Sequence, residues 1–487
     1  MREWLAPDHL VWFVISVVGE LDLARFEARS RRGGAGRAGF DPRMLLTILV
    51  YAYAMGERSS RQIERLCHTD VAFVIACAQD APDHTTIARF RKDHEDALKA
   101  LFTQVLALCA QSGLARLGAV AIDGTKIAAN ASHDALRGEK WLREEVEKMV
   151  AEAAATDAAE DALFGAARGD ELPAGLVNPA TRQERIKKAL AELEAQAAAR
   201  TRGFDRVAAA QRSLDKVLAH AQVSRDAYLQ RQADAGGKRP RGRPVVPVED
   251  AAHVRAARRV LEQAIAGLAE QDSATHPKKE SSGHGKKPSK PCRNITDPDS
   301  RLLPTRNKGW VVGYNAQLAV SEDQIIIAAD AVQSPVDNLS FIPMLRAVEQ
   351  AADLLRSFGG TDEVGVVLAD AGYRSTKNIT APGPERLIAT GKRRDDNRRA
   401  RDEPAAGSPP DGATPLEAMA HRVRTPEGHD LYRHRSPMVE GVNGQLKDVI
   451  GLRRFSRRGL RAVNSELHFA AAVHNLLKIF RSQLQTA

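Results

Sequence analysis

Cysteine is scarce in this chain. Only four cysteines occur among 487 residues, Cys67, Cys77, Cys109 and Cys292, and no two of them form a CxxC pair. A disulfide framework and a structural zinc site both depend on suitably spaced cysteines, so neither is expected. The sequence therefore predicts a protein of a reducing cytosol.

Long hydrophobic runs are also missing. A membrane-spanning helix needs about 20 apolar residues, and the apolar stretches Val11–Val18 and Met44–Met55 are both shorter. Asp8 and His9 interrupt the N-terminus, and no clear cleavage site follows Val18, so a signal peptide is not predicted. We expect a soluble, cytoplasmic protein with no membrane partner.

Length and charge narrow the class of protein. A chain of 487 residues is too long for one ordinary core, and about two to four structural units are expected. Lys and Arg number 71 against 62 Asp and Glu, which gives a net charge of +9. This excess suits a polyanionic partner, although charge alone does not say which one.

Residues 1–115 have a helical pattern. Met44–Met55 is apolar almost all round, which predicts a buried helix, and Ser59 with Gln62 predicts a capping box at the start of the next helix. Short helices with basic side chains are typical of helix-turn-helix DNA readers, and also of a plain helical bundle with a solvated basic face. The basic side chains in question are Arg89, Arg91 and Lys92.

Residues 134–292 are rich in Ala, Glu, Arg and Lys, and they predict a helical insertion after a buried strand at Ala119–Lys126. Lys238–Pro244, with Arg241 and Arg243, separates two predicted helices. Such a segment can lie in a narrow A·T-rich minor groove, or it can be a basic linker. The basic end of the insertion, from Ser273 to Pro291, is predicted to be disordered.

Strand patterns return after Asn294. The segments Trp310–Val320 and Gln324–Ala329 predict a hairpin, and Val364–Ala369 predicts a buried strand. A helix between them is expected to be capped by Asp337 or Asn338. This order is that of an α/β, ribonuclease-H-like fold interrupted after its first strand, in which the first and fourth strands are neighbours.

Three separated carboxylates are candidate metal ligands. Asp123 and Asp370 each follow an apolar strand, and Glu440 lies in a predicted helix that starts with Ser436 as its N-cap and Pro437 in its first position. Two strand-end aspartates and a helical glutamate can hold a pair of Mg²⁺ ions, which would act on a phosphodiester. Asp330 also follows an apolar run and competes with Asp370 on pattern alone.

Several motifs make the sequence recognisable. The chain resembles the DDE transposases of bacterial insertion sequences, in the branch with an N-terminal helical domain and a helical insertion after the first aspartate. Ala369–Tyr373 resembles the second aspartate block, which favours Asp370 over Asp330. The spacing from Arg435 to Glu440 is one residue longer than in the family signature, so Arg433 is a competing candidate. The other similar segments are Gly39–Leu46, Pro82–Arg91, Ile122–Lys126, Asn294–Ser300, Gly313–Gln317, and Tyr432, Arg435, Glu440 and Lys447 of a Tyr-Arg-Glu-Lys signature.

The resemblance implies an enzyme that binds the terminal inverted repeats of its own element, cuts the DNA and joins the ends to a target. Asp123, Asp370 and Glu440 would hold two Mg²⁺ or Mn²⁺ ions per active site, and a homo-oligomer is expected in the synaptic complex. The implied domains are 1–115 for DNA binding, 116–133 with 293–452 for catalysis, the insertion 134–292, and a basic C-terminal part, 453–487. The implied DNA contacts are Tyr432, Arg435, Lys447, Arg453, Arg454, Arg89, Arg91, Lys92, Arg241 and Arg243.

Two other functions fit many of the same residues. One is a metal-dependent DNA nuclease that cuts without strand transfer. The other is a DNA-binding protein derived from a transposase. The intact set of carboxylates argues against a pure binder, because acidic groups beside phosphates weaken binding unless they hold metal ions.

Overall fold

The N-terminal part of the chain is helical, as predicted. Helix α3 begins at Pro42 after Asp41, whose side chain accepts a hydrogen bond from the Arg43 amide, and it is buried from Leu45 to Ala54. Helix α4 begins at Ser60, but Ser59 makes no side-chain capping hydrogen bond, so the predicted capping box is wrong. The helices are α1 Leu10–Glu20, α2 Ala24–Glu27, α3 Pro42–Ala54, α4 Ser60–Thr69, α5 Val71–Ala76, α6 His84–Asp93 and α7 Glu95–Gln111.

These elements come from a computed structural model of the chain. The residues that it describes are 2–28, 39–164, 184, 186–195, 206–234, 246–273, 292–305, 309–359, 363–391 and 393–486. Arg241, Arg243 and most of Ser273–Pro291 lie outside these ranges, so the minor-groove and disorder predictions stay predictions. No helix within the described ranges is long and apolar enough to cross a membrane.

A mixed sheet forms the centre of the molecule. Strand β1 pairs antiparallel with β5 on one side and parallel with β7 on the other, and β8 extends the sheet beyond β7. Strands β4 and β6 pair with the other edge of β5. The strands are β1 Ala119–Ala128, β4 Arg301–Pro304, β5 Trp310–Ser321, β6 Ile326–Val332, β7 Val366–Ala369 and β8 Glu385–Ile388, with a separate pair β2 Leu136–Gly138 and β3 Cys292–Asn294.

The pairing of β1 with β7 confirms that the strands before Asp123 and Asp370 are neighbours. Both strands are buried along their apolar runs, as parallel strands covered on both faces usually are. The β5–β6 hairpin is also confirmed. The short strands β2, β3 and β4 carry no comparable apolar run and were not predicted.

Helices α8 to α10 belong to the predicted insertion. They are α8 Glu139–Phe164, α9 Arg206–Asp234 and α10 Ala252–Ser273. Helices α9 and α10 pack through a small core that includes Leu214, Ala221 and Val254. Val260 of α10 is 56% exposed, so it lies outside this core.

The remaining helices lie in the C-terminal half. They are α11 Phe341–Ser357, α12 Thr376–Ile379, α13 Arg393–Asp402, α14 Pro415–Arg424, α15 Pro426–Arg433, α16 Arg435–Gly444 and α17 Leu460–Thr486. Helix α16 packs on β1 and β5 and continues as a π-helical turn, Gln445–Val449. Helix α17 packs on α7, α3 and β6, so it joins the N-terminal helices to the sheet.

Two compact units result, and their limits differ from the predicted domains. One is Met1–Ala189 with Lys290–Ala487, and the other is Leu190–Ser289. Residues 1–115 and 453–487 therefore lie in the same unit as the sheet. A single hydrophobic core runs through the N-terminal helices, the sheet and α17. The N-terminal helices are for this reason not separable from the sheet without exposing core residues.

Candidate active site

Two aspartates lie where the pairing of the parallel strands β1 and β7 ends, with Asp123 inside β1 rather than at its predicted end, and Asp370 directly after β7. Ile122 on β1 pairs with Ala369 on β7, and the next residue of each strand is Asp123 or Asp370. Asp123 is 8% exposed. The Asp370 side chain is 38% exposed, and it accepts a hydrogen bond of 2.8 Å from the Gly372 amide. The turn after β7 thus fixes the second carboxylate beside the first.

Arg435 links the two aspartates. Its Nη2 atom donates to Asp123 Oδ1 at 2.7 Å and lies 3.8 Å from Asp370 Oδ2. Burial lowers the pKa of the Arg435 guanidinium, but the negative charges, Asp123 foremost, outweigh burial and leave the pKa raised. Arg433, the competing candidate, is 69% exposed and pairs with Asp430. Arg435 is therefore the arginine that reaches the carboxylates.

The start of α16 differs from the prediction. The helix begins at Arg435, its N-cap His434 makes no capping hydrogen bond, and Ser436 lies inside the first turn. Instead of capping the helix, the Ser436 hydroxyl donates to Glu440 Oε1 at 2.5 Å. The prediction of Ser436 as N-cap is wrong. The helix begins one residue earlier, at Arg435, which contacts Asp123.

Further polar side chains of this helical segment reach β1. Asn443 Nδ2 donates to Asp123 Oδ2 at 3.3 Å. Lys447, in the π-helical turn, donates to the Thr125 hydroxyl. Asp123 and Thr125 are two positions apart and so share one face of the strand. Asn443 and Lys447 therefore face the strand that carries the first aspartate.

Glu440 lies on the same helix but is exposed at its surface. Within the described ranges, no three Asp, Glu, His or Cys side chains are placed to hold a metal ion together. The structure thus joins Asp123 and Asp370 through Arg435, and it does not assemble all three carboxylates into one cluster. Tyr432 of the implied signature is 8% exposed, so its ring is mostly covered.

The donor atoms around Asp123 suit a hard divalent cation in chemical type. Carboxylate and amide oxygens are the ligands that Mg²⁺ and Mn²⁺ prefer. Asn443 Oδ1 is buried without a hydrogen-bond partner, next to an aspartate that already binds a guanidinium cation. The site therefore fits a divalent ion by its oxygens, with Asp123, Asp370 and Asn443 as the nearest donors.

Asp337 is a residue of this region whose position was not foreseen. It was expected to cap a helix, but its side chain makes no capping hydrogen bond. Its Oδ1 atom instead accepts from Asn315 at 2.7 Å and Gln317 at 2.9 Å, and lies 3.3 Å from Lys126 Nζ. Asn315 and Gln317 are fully buried on β5. Asp337 therefore ties β5 to β1 next to Asp123.

Gly124 makes this close packing possible. A Cβ atom at this position would lie 2.4 Å from Asp337 Oδ1 and 2.5 Å from Gln317 Nε2. Gly124→Ala should therefore lower the free energy of unfolding by about 1–3 kcal/mol, since an added methyl must push polar groups apart. Urea unfolding measures this change. Gly444→Ala is the control, because no atom lies within 4 Å of a Cβ there, and an equal loss in both variants would contradict the packing argument.

The basic residues of α6 divide into two kinds. Arg89 and Lys92 are exposed. Arg91 is 9% exposed and donates to the Arg58 carbonyl at 2.8 Å and to the Ser60 hydroxyl. The expectation that Arg91 contacts DNA is therefore corrected, because its guanidinium is used inside the fold.

The arginines after the π-helical turn are exposed. Arg453 forms a surface ion pair with Asp448, and Arg454 pairs through its backbone with Ala128 at the end of β1. Both side chains remain at the surface. They stay candidates for phosphate contacts, which need only an accessible cation.

Comparison with known protein families gives two matches. A transposase domain (DUF772) matches residues 1–93, and a transposase DDE domain matches residues 410–480. The second range includes Tyr432, Arg435, Glu440 and Lys447, whereas Asp123 and Asp370 lie outside both ranges. No curated protein and no solved structure matches the chain. The two matches, one at each end of the chain, are both to transposase domains, and they support an insertion-sequence DDE transposase.

Proposed function

We propose that this transposase binds the terminal inverted repeats of its own insertion sequence, cleaves the DNA there and joins the ends to a target. The convergence of Asp123 and Asp370 around one buried cation carries the proposal. DDE transposases generally use divalent metal ions, and oxygen ligands of this kind suit Mg²⁺ or Mn²⁺. Two ions per active site, with Glu440 as the third carboxylate, complete the proposed centre.

The strand order supports a ribonuclease-H-like catalytic domain. In the sheet, five strands lie side by side in the order β6, β5, β1, β7 and β8. When only these five are counted along the chain, they are the third, second, first, fourth and fifth strands. The first three are antiparallel and the last two run parallel to the first. Ligand sites of such sheets lie where strand order reverses, beyond the ends of the strands. Asp370 follows the end of β7, and Asp123 lies inside β1 where its pairing with β7 stops, which supports a site at this point of the sheet.

The proposed chemistry needs little from the protein beyond positioning and charge. Bound divalent ions would activate the attacking oxygen and neutralise charge on the departing 3′-oxygen. Asp123 and Asp370 would hold them from fixed backbone positions, inside strand β1 and in a hydrogen-bonded turn. Glu440, on the exposed side of α16, would close the site from the helix. Lys447 contacts Thr125 of β1, two positions from Asp123, and would donate to a DNA phosphate there.

Glu440 must come closer to the aspartates for this centre to form. Its carboxylate is held by Ser436, one turn earlier on the same helix. A side chain on an exposed helical face can change rotamer at low cost. The third ligand is thus proposed to join when metal ions and DNA enter the site.

One assay with two readouts separates this function from its alternatives. Labelled duplex DNA carrying the inverted repeats that flank the gene is incubated with the full-length protein, with and without Mg²⁺. Metal-dependent nicking excludes a pure DNA-binding protein. Joined products, in addition to nicks, exclude a nuclease that lacks strand transfer.

We propose that Arg89 and Lys92 bind DNA phosphates, because both are exposed on one short helix in the matched N-terminal region. Replacing both by Ala should weaken DNA binding and reduce the slope of log affinity against log salt by about two, roughly one for each lost phosphate contact. Binding titrations at several salt concentrations measure the slope. Arg356→Ala is the control, because Arg356 lies on α11 in an ion pair with Asp353. An unchanged slope in the double variant would remove α6 from the DNA-binding surface.

A further inference from the structure

Arg435 occupies the place between the two aspartates where a cation is most favourable. Its side chain is 13% exposed, and its Nη2 atom is within ion-pair distance of both Asp123 and Asp370. We propose that Arg435 is a positioning residue that holds the two aspartates together before metal ions bind, and that competes with those ions for the carboxylates. This inference rests on the proposed metal-dependent function.

The charges explain why such a residue is useful. Two carboxylates on or next to adjacent strands repel each other, and the repulsion grows where burial reduces screening. One guanidinium between them offsets part of this repulsion. This offset matters most at Asp123, which is only 8% exposed. The site remains in the shape that a metal ion needs, which spares the cost of reorganisation when the ion arrives.

The same arrangement makes Arg435 a competitor of the metal ion for the two carboxylates. A guanidinium has no lone pair and cannot be a metal ligand. An ion bound by Asp123 Oδ1 would lie within a few ångströms of Arg435 Nη2, and the two positive charges would repel. The guanidinium must therefore move away or weaken the binding of the ion.

Two local features make movement of Arg435 feasible. Among the described residues, its buried Nε atom has no hydrogen-bond partner, so this atom does not hold the guanidinium in its present orientation. A cavity of about 30 Å³ borders the side chain and is also lined by Asn397, Tyr432, Arg433 and Ser436. The side chain thus has unfilled space beside it. A released Arg435 could then pair with a DNA phosphate, as arginine commonly does.

Mn²⁺ binding to the full-length protein without DNA tests this inference. Free Mn²⁺ is measured by electron paramagnetic resonance during titration of the wild type and Arg435→Gln. Removal of the competing charge should tighten Mn²⁺ binding about tenfold, the scale on which groups next to metal ligands alter affinity. Arg433→Gln is the matched control, since Arg433 is exposed and pairs with Asp430 instead, and its affinity should equal that of the wild type.

Further variants keep the result interpretable. Arg435→Lys retains the charge and should bind Mn²⁺ like the wild type, so tightening in both Arg435 variants would overturn the competition. Equal or weaker binding by Arg435→Gln would overturn it as well. Should Arg435→Gln not fold, Arg435→Met replaces it, with a side chain similar to the aliphatic part of arginine. If Asp123→Asn and Asp370→Asn bind Mn²⁺ as well as the wild type does, the proposed metal site itself has failed, which is a separate outcome.

Discussion

Replacing Asp123 or Asp370 by Asn should reduce metal-dependent DNA cleavage by at least about 100-fold while leaving DNA binding largely intact. Groups that only orient a metal ligand already change affinity or activity by about 10- to 100-fold when they are removed, and a direct ligand should matter more. Asn keeps the shape of Asp but removes the charge that binds both Arg435 and a metal ion. Cleavage of labelled DNA at saturating Mg²⁺ measures the effect. Glu440→Gln applies the same test to the third carboxylate.

Asp330→Asn is the matched control. Asp330 also follows an apolar strand run, but it lies on β6, where burial raises its pKa and Asn464 and Lys99 are its neighbours. Activity should survive this change. Cleavage at the wild-type rate in Asp123→Asn or Asp370→Asn would remove that residue from the catalytic set. Loss of activity in Asp330→Asn alone would point to a different site.

Replacing Glu466 by Ala should lower the free energy of unfolding by about 3–5 kcal/mol, the usual cost of removing one partner from a buried ion pair. The Glu466 side chain is 1% exposed and accepts from Arg58 Nη1 at 2.8 Å. It also accepts from the Ser456 hydroxyl at 2.8 Å and from the Ser456 amide at 2.9 Å. Without it, a largely buried guanidinium and a buried amide lose their acceptor.

Loss of Glu466 should also disturb the segment next to the candidate site, because its partner Arg58 contacts that segment. Arg58 follows α3 and also donates to the Arg454 carbonyl at 2.6 Å, in the segment after the π-helical turn. Urea unfolding measures the loss. Asp448→Ala is the control, since its pair with Arg453 is exposed and such pairs contribute about 0–1 kcal/mol. A similar loss of unfolding free energy in both variants would show that the buried contacts of Glu466 stabilise the fold no more than an exposed ion pair does.

The strands that carry the aspartates could be predicted because their signal is local. The run Val120–Ile122 and the run Val366–Ala369 are apolar without alternation, as strands buried on both faces require. The apolar runs alone did not decide between Asp370 and Asp330, and it was the motif Ala369–Tyr373 that favoured Asp370. Both follow apolar runs, and only the position of β7 beside β1 brings Asp370 to Asp123.

Other features depend on contacts between residues far apart in the chain. Ser436 and Pro437 form a strong local helix-start signal, yet the helix starts at Arg435, where the contact with Asp123 overrides it. Arg91 belongs to a basic run, and its sequence neighbours do not reveal the acceptors on Arg58 and Ser60 that bury it. Asp337 looked like a helix cap, because its partners on β1 and β5 are distant in sequence.

The measurement that tests the central claim most directly is strand transfer by the wild-type protein. A labelled duplex ending in the inverted repeat that flanks the gene is mixed with the full-length protein, Mg²⁺ and an unlabelled supercoiled plasmid. We expect labelled plasmid to form only with Mg²⁺, and not with Asp123→Asn. Cleavage without any joined product would indicate a nuclease that lacks strand transfer. Binding of the repeat with neither cleavage nor joining, at any Mg²⁺ or Mn²⁺ concentration, would contradict the proposed transposase function.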